Sequence, residues 1–169
     1  MLGAEALDLL KSDIPQEQST HDGGISDVLQ TFAAYLGYRF IDESECPDAI
    51  KHGWNGELNH RDRTIFISSA MDEMLLTEVM AHEIAHHFQF SLLQHVDIHP
   101  RIVRVFEQVA EAVAIMFLYD YGVNVVENGR LYIKSFVVDE EGFHDGVLDK
   151  AITMVYLAFS QEFEAFLRD

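Results

Sequence analysis

One pentapeptide combines residue types that could do chemistry with the spacing of one helical turn. It is His82-Glu83-Ile84-Ala85-His86, which matches the pattern H-E-x-x-H. On a helix, side chains four residues apart lie above each other on one face, so both imidazoles could reach a single metal ion. Two neutral imidazoles and a carboxylate suit zinc, which leaves a fourth position for water. Zinc lowers the pKa of such a water to about 7, and Glu83 could then take its proton.

A third ligand is expected from another element of the chain. Metzincin-type peptidases place a Gly and a His just after the motif, whereas Gln89 and Leu92 stand there in this chain, so that class is excluded. The next predicted helix offers Glu107 and Glu111, which lie one turn apart on a single face. One acid could bind zinc while the other orients a ligand histidine. The connector between the two helices contains two alternative ligands, His95 and His99.

This pattern resembles the gluzincin metallopeptidases, in which H-E-x-x-H on one helix is joined by a Glu on a following helix. In many of them that Glu opens a stretch E-x-x-A-[D/N]-x-x-A. Here Glu107, Ala110 and Ala114 match the stretch, and Glu111 stands where Asp or Asn is more usual. The resemblance covers roughly Gly56 to Tyr121. Within the group, the chain is similar to the compact members, including the IrrE/ImmA-type peptidases.

The resemblance implies a cofactor, a reaction and a role for each residue. The zinc ligands would be His82, His86 and Glu107, the catalytic base would be Glu83, and Glu111 would hold a ligand histidine. Because Glu is longer than Asp, the reverse order, with Glu111 as the ligand and Glu107 behind it, stays open. The expected reaction is zinc-dependent hydrolysis of a peptide bond in a peptide or protein substrate. The alternative is a catalytically inactive, zinc-stabilised binding or regulatory module.

Several further residues are weaker candidates for a part in the site. A thermolysin-like site needs a donor for the tetrahedral oxyanion, and the candidates are Tyr119, Tyr121 and His144. The strand Thr64 to Ser68 resembles the edge strand along which zincins align a peptide, although a core strand fits it equally well. His87 points about 100° away from His86 on an ideal helix and is not expected to bind the metal.

The elements that must position these residues follow from periodicity and turn signals. Helices are predicted over Ile25 to Leu36, Ser69 to about Leu93 with Ser69 as a cap, Arg101 to Tyr119, and Val147 to Leu167. The helix from Ser69 could be broken near Thr77. Strands are predicted at Tyr38 to Ile41, Glu57 to Asn59 and Arg63 to Ser68, with a hairpin over Val123 to Val138. The fold class is therefore α+β with a small antiparallel sheet, and the resemblance implies that it is zincin-like, with an active-site helix, a glutamate helix and a C-terminal helix.

Length, composition and charge set the outer bounds of the prediction. A chain of 169 residues suits a single domain, with an N-terminal helix and polar turn in residues 1–24, a core in 25–122, and a hairpin and terminal helix in 123–169. A formal net charge of -18 argues against nucleic-acid binding. Without an apolar run long enough for a membrane span, and with a single cysteine, Cys46, the chain is expected to be cytoplasmic. The oligomeric state is not predicted.

Overall fold

A computed structural model describes residues 24–92, 100–123, 125 and 145–169 of the chain. Five helices and three strands occur in these ranges, and the predicted α+β class is confirmed. In chain order they are α1 (Ile25–Tyr35), β1 (Arg39–Ile41), α2 (Pro47–His52), β2 (Gly56–Asn59), β3 (Thr64–Ile67), α3 (Glu73–Leu92), α4 (Pro100–Asp120) and α5 (Asp145–Phe166). The predicted N-terminal helix and nearly all of the predicted hairpin over Val123 to Val138 lie outside the described residues. The division into 1–24, 25–122 and 123–169 stays a prediction.

Helix α3, which carries the H-E-x-x-H motif, is one unbroken helix. The expected cap is wrong by three residues, because the Leu75 N–H donates to the Asp72 carboxylate at 2.9 Å. The Ser69 hydroxyl instead donates to the Glu43 carboxylate. Thr77 does not break the helix, since its hydroxyl donates to the Glu73 carbonyl one turn earlier.

Helix α4 begins at Pro100, where a proline is tolerated because the first helical N–H groups have no partner within the helix. It ends at Asp120, close to the predicted end. Gly122 follows with a φ of 80°, which favours glycine, and the Val123 N–H returns to the Leu118 carbonyl at 2.9 Å.

The three strands form a sheet in the order β1-β3-β2. Strands β2 and β3 are the predicted antiparallel pair, with Glu57 opposite Phe66. Strand β1 runs parallel to β3, so the expectation of a purely antiparallel sheet is wrong. After β1 the chain passes through α2 and forms β2. The turn at His60 to Asp62 then reverses its direction, and β3 is inserted between β1 and β2. Strand β3 is central and β2 lies at an edge, so of the two alternatives for Thr64 to Ser68 the structure has the core strand and not the edge strand.

Helix α3 lies at the centre of the molecule and packs against α1, α4, α5, β2 and β3. Its residues from Met80 to Ala85 are all buried, which requires neighbours on every side. One side packs into an aromatic cluster formed by Phe32, Phe88, Phe117, Phe159 and Phe163. Another side presents the motif histidines to α4.

Across the described ranges, no helix combines the length and the apolar character that a membrane crossing requires.

Candidate metal centre

The side chains of His82, His86 and Glu107 converge on one position between α3 and α4, which is called the metal point. The two Nε2 atoms are 3.1 Å apart. Glu107 Oε2 lies 3.3 Å from His82 Nε2, and Glu107 Oε1 lies 3.5 Å from His86 Nε2. The three residues therefore form a largely buried group that could hold a metal ion.

The spacing of these atoms fits a tetrahedral ion. For bonds of 2.0–2.1 Å, the edge of a tetrahedron of ligands is about 3.3 Å. The three separations of 3.1, 3.3 and 3.5 Å bracket that value. Two imidazoles and a carboxylate are also a donor set that suits zinc. The residues present thus fit the metal that the motif implies.

Glu111 occupies a different position from Glu107, on the far side of the His82 ring. Its Oε2 accepts a hydrogen bond of 2.8 Å from His82 Nδ1, while Glu107 faces His82 Nε2. A carboxylate on Nδ1 keeps the proton on that nitrogen and directs Nε2 towards the metal point. The geometry therefore matches Glu107 as the ligand and Glu111 as the residue that orients His82.

The second histidine is oriented by Gln89, a residue that sequence reasoning did not place in the site. The Gln89 amide nitrogen donates to the Phe106 carbonyl at 2.8 Å, so its amide oxygen must face His86. That oxygen lies 2.7 Å from His86 Nδ1, which must then be the protonated nitrogen. His86 Nε2 is left with its lone pair facing the metal point. The available sequence signal was a glutamine one turn after His86, and in the structure its side chain is only 1% exposed.

The electrostatics of the metal-free group follow from burial and close contact. Burial lowers the pKa of His82, but hydrogen bonds to Glu107 and Glu111 outweigh it and raise that pKa to about 10. Burial raises the pKa of Glu107, and the hydrogen bonds to His82 and His86 outweigh it, so the pKa of that carboxyl lies well below its ordinary value. Without a metal, the cluster therefore holds a proton that binds a buried imidazole to a carboxylate.

Glu83, the predicted base, lies on the side of α3 that faces strand β2. Burial is the main cause that raises the pKa of its carboxyl, and the charges of the neighbouring histidines and the Leu58 backbone N–H oppose the rise. A buried carboxyl with a raised pKa is suited to accepting and returning a proton.

Gly56 allows β2 to approach Glu83, and sequence reasoning did not single it out. A Cβ at this position would lie 2.5 Å from Val79 Cγ1 and 2.7 Å from Glu83 Oε1, both closer than van der Waals contact permits. The only sequence signal was a glycine just before a predicted strand. Its role depends on the distance between β2 and α3, which is a tertiary property.

The metal point opens into a cleft of about 680 Å³. Strand β2 and the segment before it form one wall, and α3 and α4 form the others. The polar lining comprises Asn55, Glu57, Glu78, His82, Glu83, His86, Glu107 and Glu111, and the remainder is Gly53, Trp54, Gly56, Leu58, Leu75, Val79 and Phe90.

The two described candidates for the oxyanion donor, Tyr119 and Tyr121, lie away from this cleft. Tyr119 and Tyr121 lie near the end of α4, twelve or more residues beyond Glu107, which is about 18 Å along a helix. Tyr121 packs on Phe117 and Phe163. Neither tyrosine is among the residues that line the cleft. His144 and the alternative ligands His95 and His99 lie outside the described residues.

His87 and Cys46 also have partners away from the metal point. His87 Nδ1 lies 3.0 Å from the Tyr38 hydroxyl, which is 2.8 Å from His60 Nδ1. Burial, together with the nearby Arg63, lowers the pKa of His87 to about 4. The half-buried Cys46 thiol donates to Glu57 at 3.6 Å. Neither residue faces the three converging atoms.

Comparison of this chain with known protein families, with curated proteins and with solved structures found no match.

Proposed function

We propose that this protein is a zinc-dependent peptidase with a zincin-like, gluzincin type of site. The observation that carries the proposal is the convergence of His82 Nε2, His86 Nε2 and a Glu107 oxygen beside the buried Glu83 carboxyl. These residues belong to two consecutive helices and line a cleft. Glu111 and Gln89 fix the ligand rings from behind, as ligand histidines require.

The open cleft favours a catalytic site over a structural one. A structural zinc site is closed by four protein ligands, whereas a catalytic site keeps a position for water or substrate. Among the residues that the structure describes, three protein ligands converge, and all three line a cleft of about 680 Å³. When bound, zinc would polarise the substrate carbonyl and activate a water for attack.

Glu83 carries the proton transfers in this proposal. Its ionised carboxyl accepts a proton from the attacking water and later returns that proton to the leaving amine. Burial raises the pKa of Glu83, which reduces the difference in pKa between this carboxyl and the groups with which it exchanges a proton. The Leu58 N–H holds the carboxyl against β2, and the absence of a side chain at Gly56 leaves the space that the carboxyl occupies.

Strand β2 supplies the reason to expect a peptide as the substrate. The Ser68 N–H donates to the Asn55 carbonyl, so the Asn55 and Ser68 pair is hydrogen-bonded and the next pair, Gly56 with Ile67, is not. The peptide groups of Gly56 and Leu58 therefore point away from β3, and both residues line the cleft. The Leu58 N–H is donated to Glu83, so an extended peptide would pair with the Gly56 N–H and carbonyl and the Leu58 carbonyl of this edge, and would lie across the metal point.

Metal analysis and peptide hydrolysis of matched variants test the proposal. The unaltered protein should carry about one zinc per chain and cleave an unstructured protein or a quenched-fluorescence peptide library. Glu83→Gln should retain the zinc and lose activity by about 10²–10⁴-fold, because the base is gone while the ligands remain. His82→Ala should lose the metal as well.

Glu73→Gln is the control, since it makes the same change on an exposed residue of the same helix. Circular dichroism shows whether each variant is folded. A folded His82→Ala protein that keeps its zinc would contradict the ligand assignment. A protein that holds zinc and cleaves nothing would instead be the binding or regulatory module.

A further inference from the structure

Trp54 is the single tryptophan of the chain and lies on the rim of the cleft. It is 42% exposed, although large aromatic side chains are usually well buried. Leu58, Leu75, Val79 and Phe90 continue the apolar surface into the cleft. The metal-centre chemistry described above makes no use of this apolar wall.

The indole of Trp54 is held in place before any ligand arrives. The backbone N–H of Trp54 donates to the Ala49 carbonyl at 3.0 Å. The carbonyl of the next residue, Asn55, accepts a hydrogen bond of 2.9 Å from the Ser68 N–H. The ring stacks on His52 with centroids 5.1 Å apart and planes 20° apart. One face of the indole is therefore covered, and ordering an already fixed ring costs little entropy on binding.

Trp54 is also close in sequence to the point where β2 meets the base. Gly56, which contacts Glu83, is only two residues further along the chain. An extended chain advances about 3.4 Å per residue, so at most about 7 Å of backbone separates the two positions. A peptide paired with β2 would thus bring a side chain about two residues from the reacting bond against the indole.

We propose that Trp54 is a specificity-determining residue that binds an aromatic side chain of the substrate about two residues from the scissile bond. This inference rests on the proposed function for the assignment of a peptide as the ligand. Aromatic rings gain from edge-to-face or offset contact with an indole in addition to burial. An acidic side chain is disfavoured, because the described cleft lining contains five glutamates and neither Lys nor Arg.

Binding to the Glu83→Gln variant loaded with zinc tests the inference without hydrolysis. The probes are blocked alanine heptapeptides with a central Phe, Ala or Glu, each made with and without a fluorescein label. Unlabelled Phe peptide should shift the emission of Trp54, which is unambiguous because no other tryptophan is present. Anisotropy of the labelled peptides should show about tenfold tighter binding for Phe than for Ala, and the weakest binding for Glu.

Three second-site variants in the same background show whether Trp54 is the cause. Trp54→Ala should reduce the preference for Phe to less than about twofold, while Trp54→Phe should retain most of it. Met154→Ala, which removes a 56% exposed apolar side chain outside the cleft, should leave the preference unchanged. The zinc content should be equal in all three variants, since neither Trp54 nor Met154 belongs to the zinc ligands.

Equal binding of the Phe and Ala peptides, no binding of any peptide at 1 mM, or a preference that survives Trp54→Ala would each overturn the inference. These results are separable from the peptidase proposal. Peptide cleavage that is indifferent to Phe refutes only the role of Trp54. A Trp54-dependent preference in a protein that never cleaves refutes only the peptidase.

Discussion

Helices α3 and α4 each contribute to two buried regions of opposite character. The metal centre contains His82, His86, Glu107 and Glu111, with direct hydrogen bonds and ionised groups. The aromatic cluster contains Phe88 from α3 and Phe117 from α4, with Phe159 of α5 stacked at 5.2 and 4.2 Å. The same pair of helices therefore supports both a polar and an apolar interior.

The two regions stabilise the fold by different physical terms. Burial of aromatic surface is favourable at any pH and needs no partner from solution. Buried charges are costly unless they are paired, and the pairing in the metal centre changes when a proton or a metal ion is exchanged. The aromatic cluster should thus determine stability, and the metal centre should determine how stability responds to pH and metal.

The largest expected effect is the loss of a ring from the aromatic cluster. Phe159→Ala should lower the free energy of unfolding by about 3–5 kcal/mol, because it leaves a cavity at a fully buried position. The folded variant should still bind one zinc, since Phe159 does not contribute to the metal centre. Denaturant unfolding and metal analysis measure the two quantities, with exposed Met154→Ala as the control. A folded Phe159→Ala protein without zinc would show that the two regions are not separable.

The next effect is that the stability of the metal-free protein and its affinity for zinc depend on pH in opposite directions. The pKa of His82 is raised from 6.5 to about 10 in the folded metal-free chain. Its stabilisation is therefore complete below pH 6.5 and is lost as the pH rises towards 10, with a slope of up to about 1.4 kcal/mol per pH unit. Zinc must displace this proton from Nε2, so zinc affinity should rise over the same range.

Two measurements check this pH dependence. Unfolding in the presence of a chelator should show lower stability at pH 9 than at pH 7. Calorimetric titration with zinc near pH 8, in buffers of different ionisation enthalpy, should count about one released proton. Phe159→Ala should leave both results unchanged. A stability that is flat between pH 7 and 9 would argue against a proton held by His82.

The smallest expected effect comes from adding one methyl group at Gly56. Gly56→Ala should push the Glu83 carboxyl away from β2 and lower kcat about tenfold, or about 1.4 kcal/mol. Zinc affinity and KM should change less than about twofold, because neither the ligands nor Trp54 moves. Gly24→Ala is the matched control, since a Cβ there meets nothing within 4 Å.

The additional variant Val79→Ala separates strain from catalysis. In the Gly56→Ala background it removes the 2.5 Å clash with Val79, so stability should recover. The kcat should stay low, because the contact with Glu83 remains. Recovery of both would mean that Gly56 has only a structural role.

Local patterns were sufficient to predict most of the helices and the first half of the site. Apolar periodicity and turn signals predicted helices whose ends lie within a few residues of those of α1, α3, α4 and α5. The spacing of His82 and His86 predicted that both rings share a helix face, because that relation depends only on helical geometry. The strands predicted at Glu57 to Asn59 and Arg63 to Ser68 also agree with β2 and β3 to within one residue at each end.

Relations between separate elements were beyond these patterns. Alternation along a strand does not identify its neighbour, so the parallel pairing of β1 with β3 and the edge position of β2 emerged only from the packed sheet. The distance of Tyr119 and Tyr121 from the cleft likewise depends on where α4 crosses α3.

The sequence by itself determined the chemistry that is available: two imidazoles one turn apart, a neighbouring carboxyl, and two further acids on a later helix. Only the tertiary structure decided which acid faces Nε2, that Gln89 orients His86, and that Gly56 lies against Glu83. The physical reason is that helical spacing is a local property of the backbone. Distances between α3, α4 and β2 are set instead by the packing of the whole core.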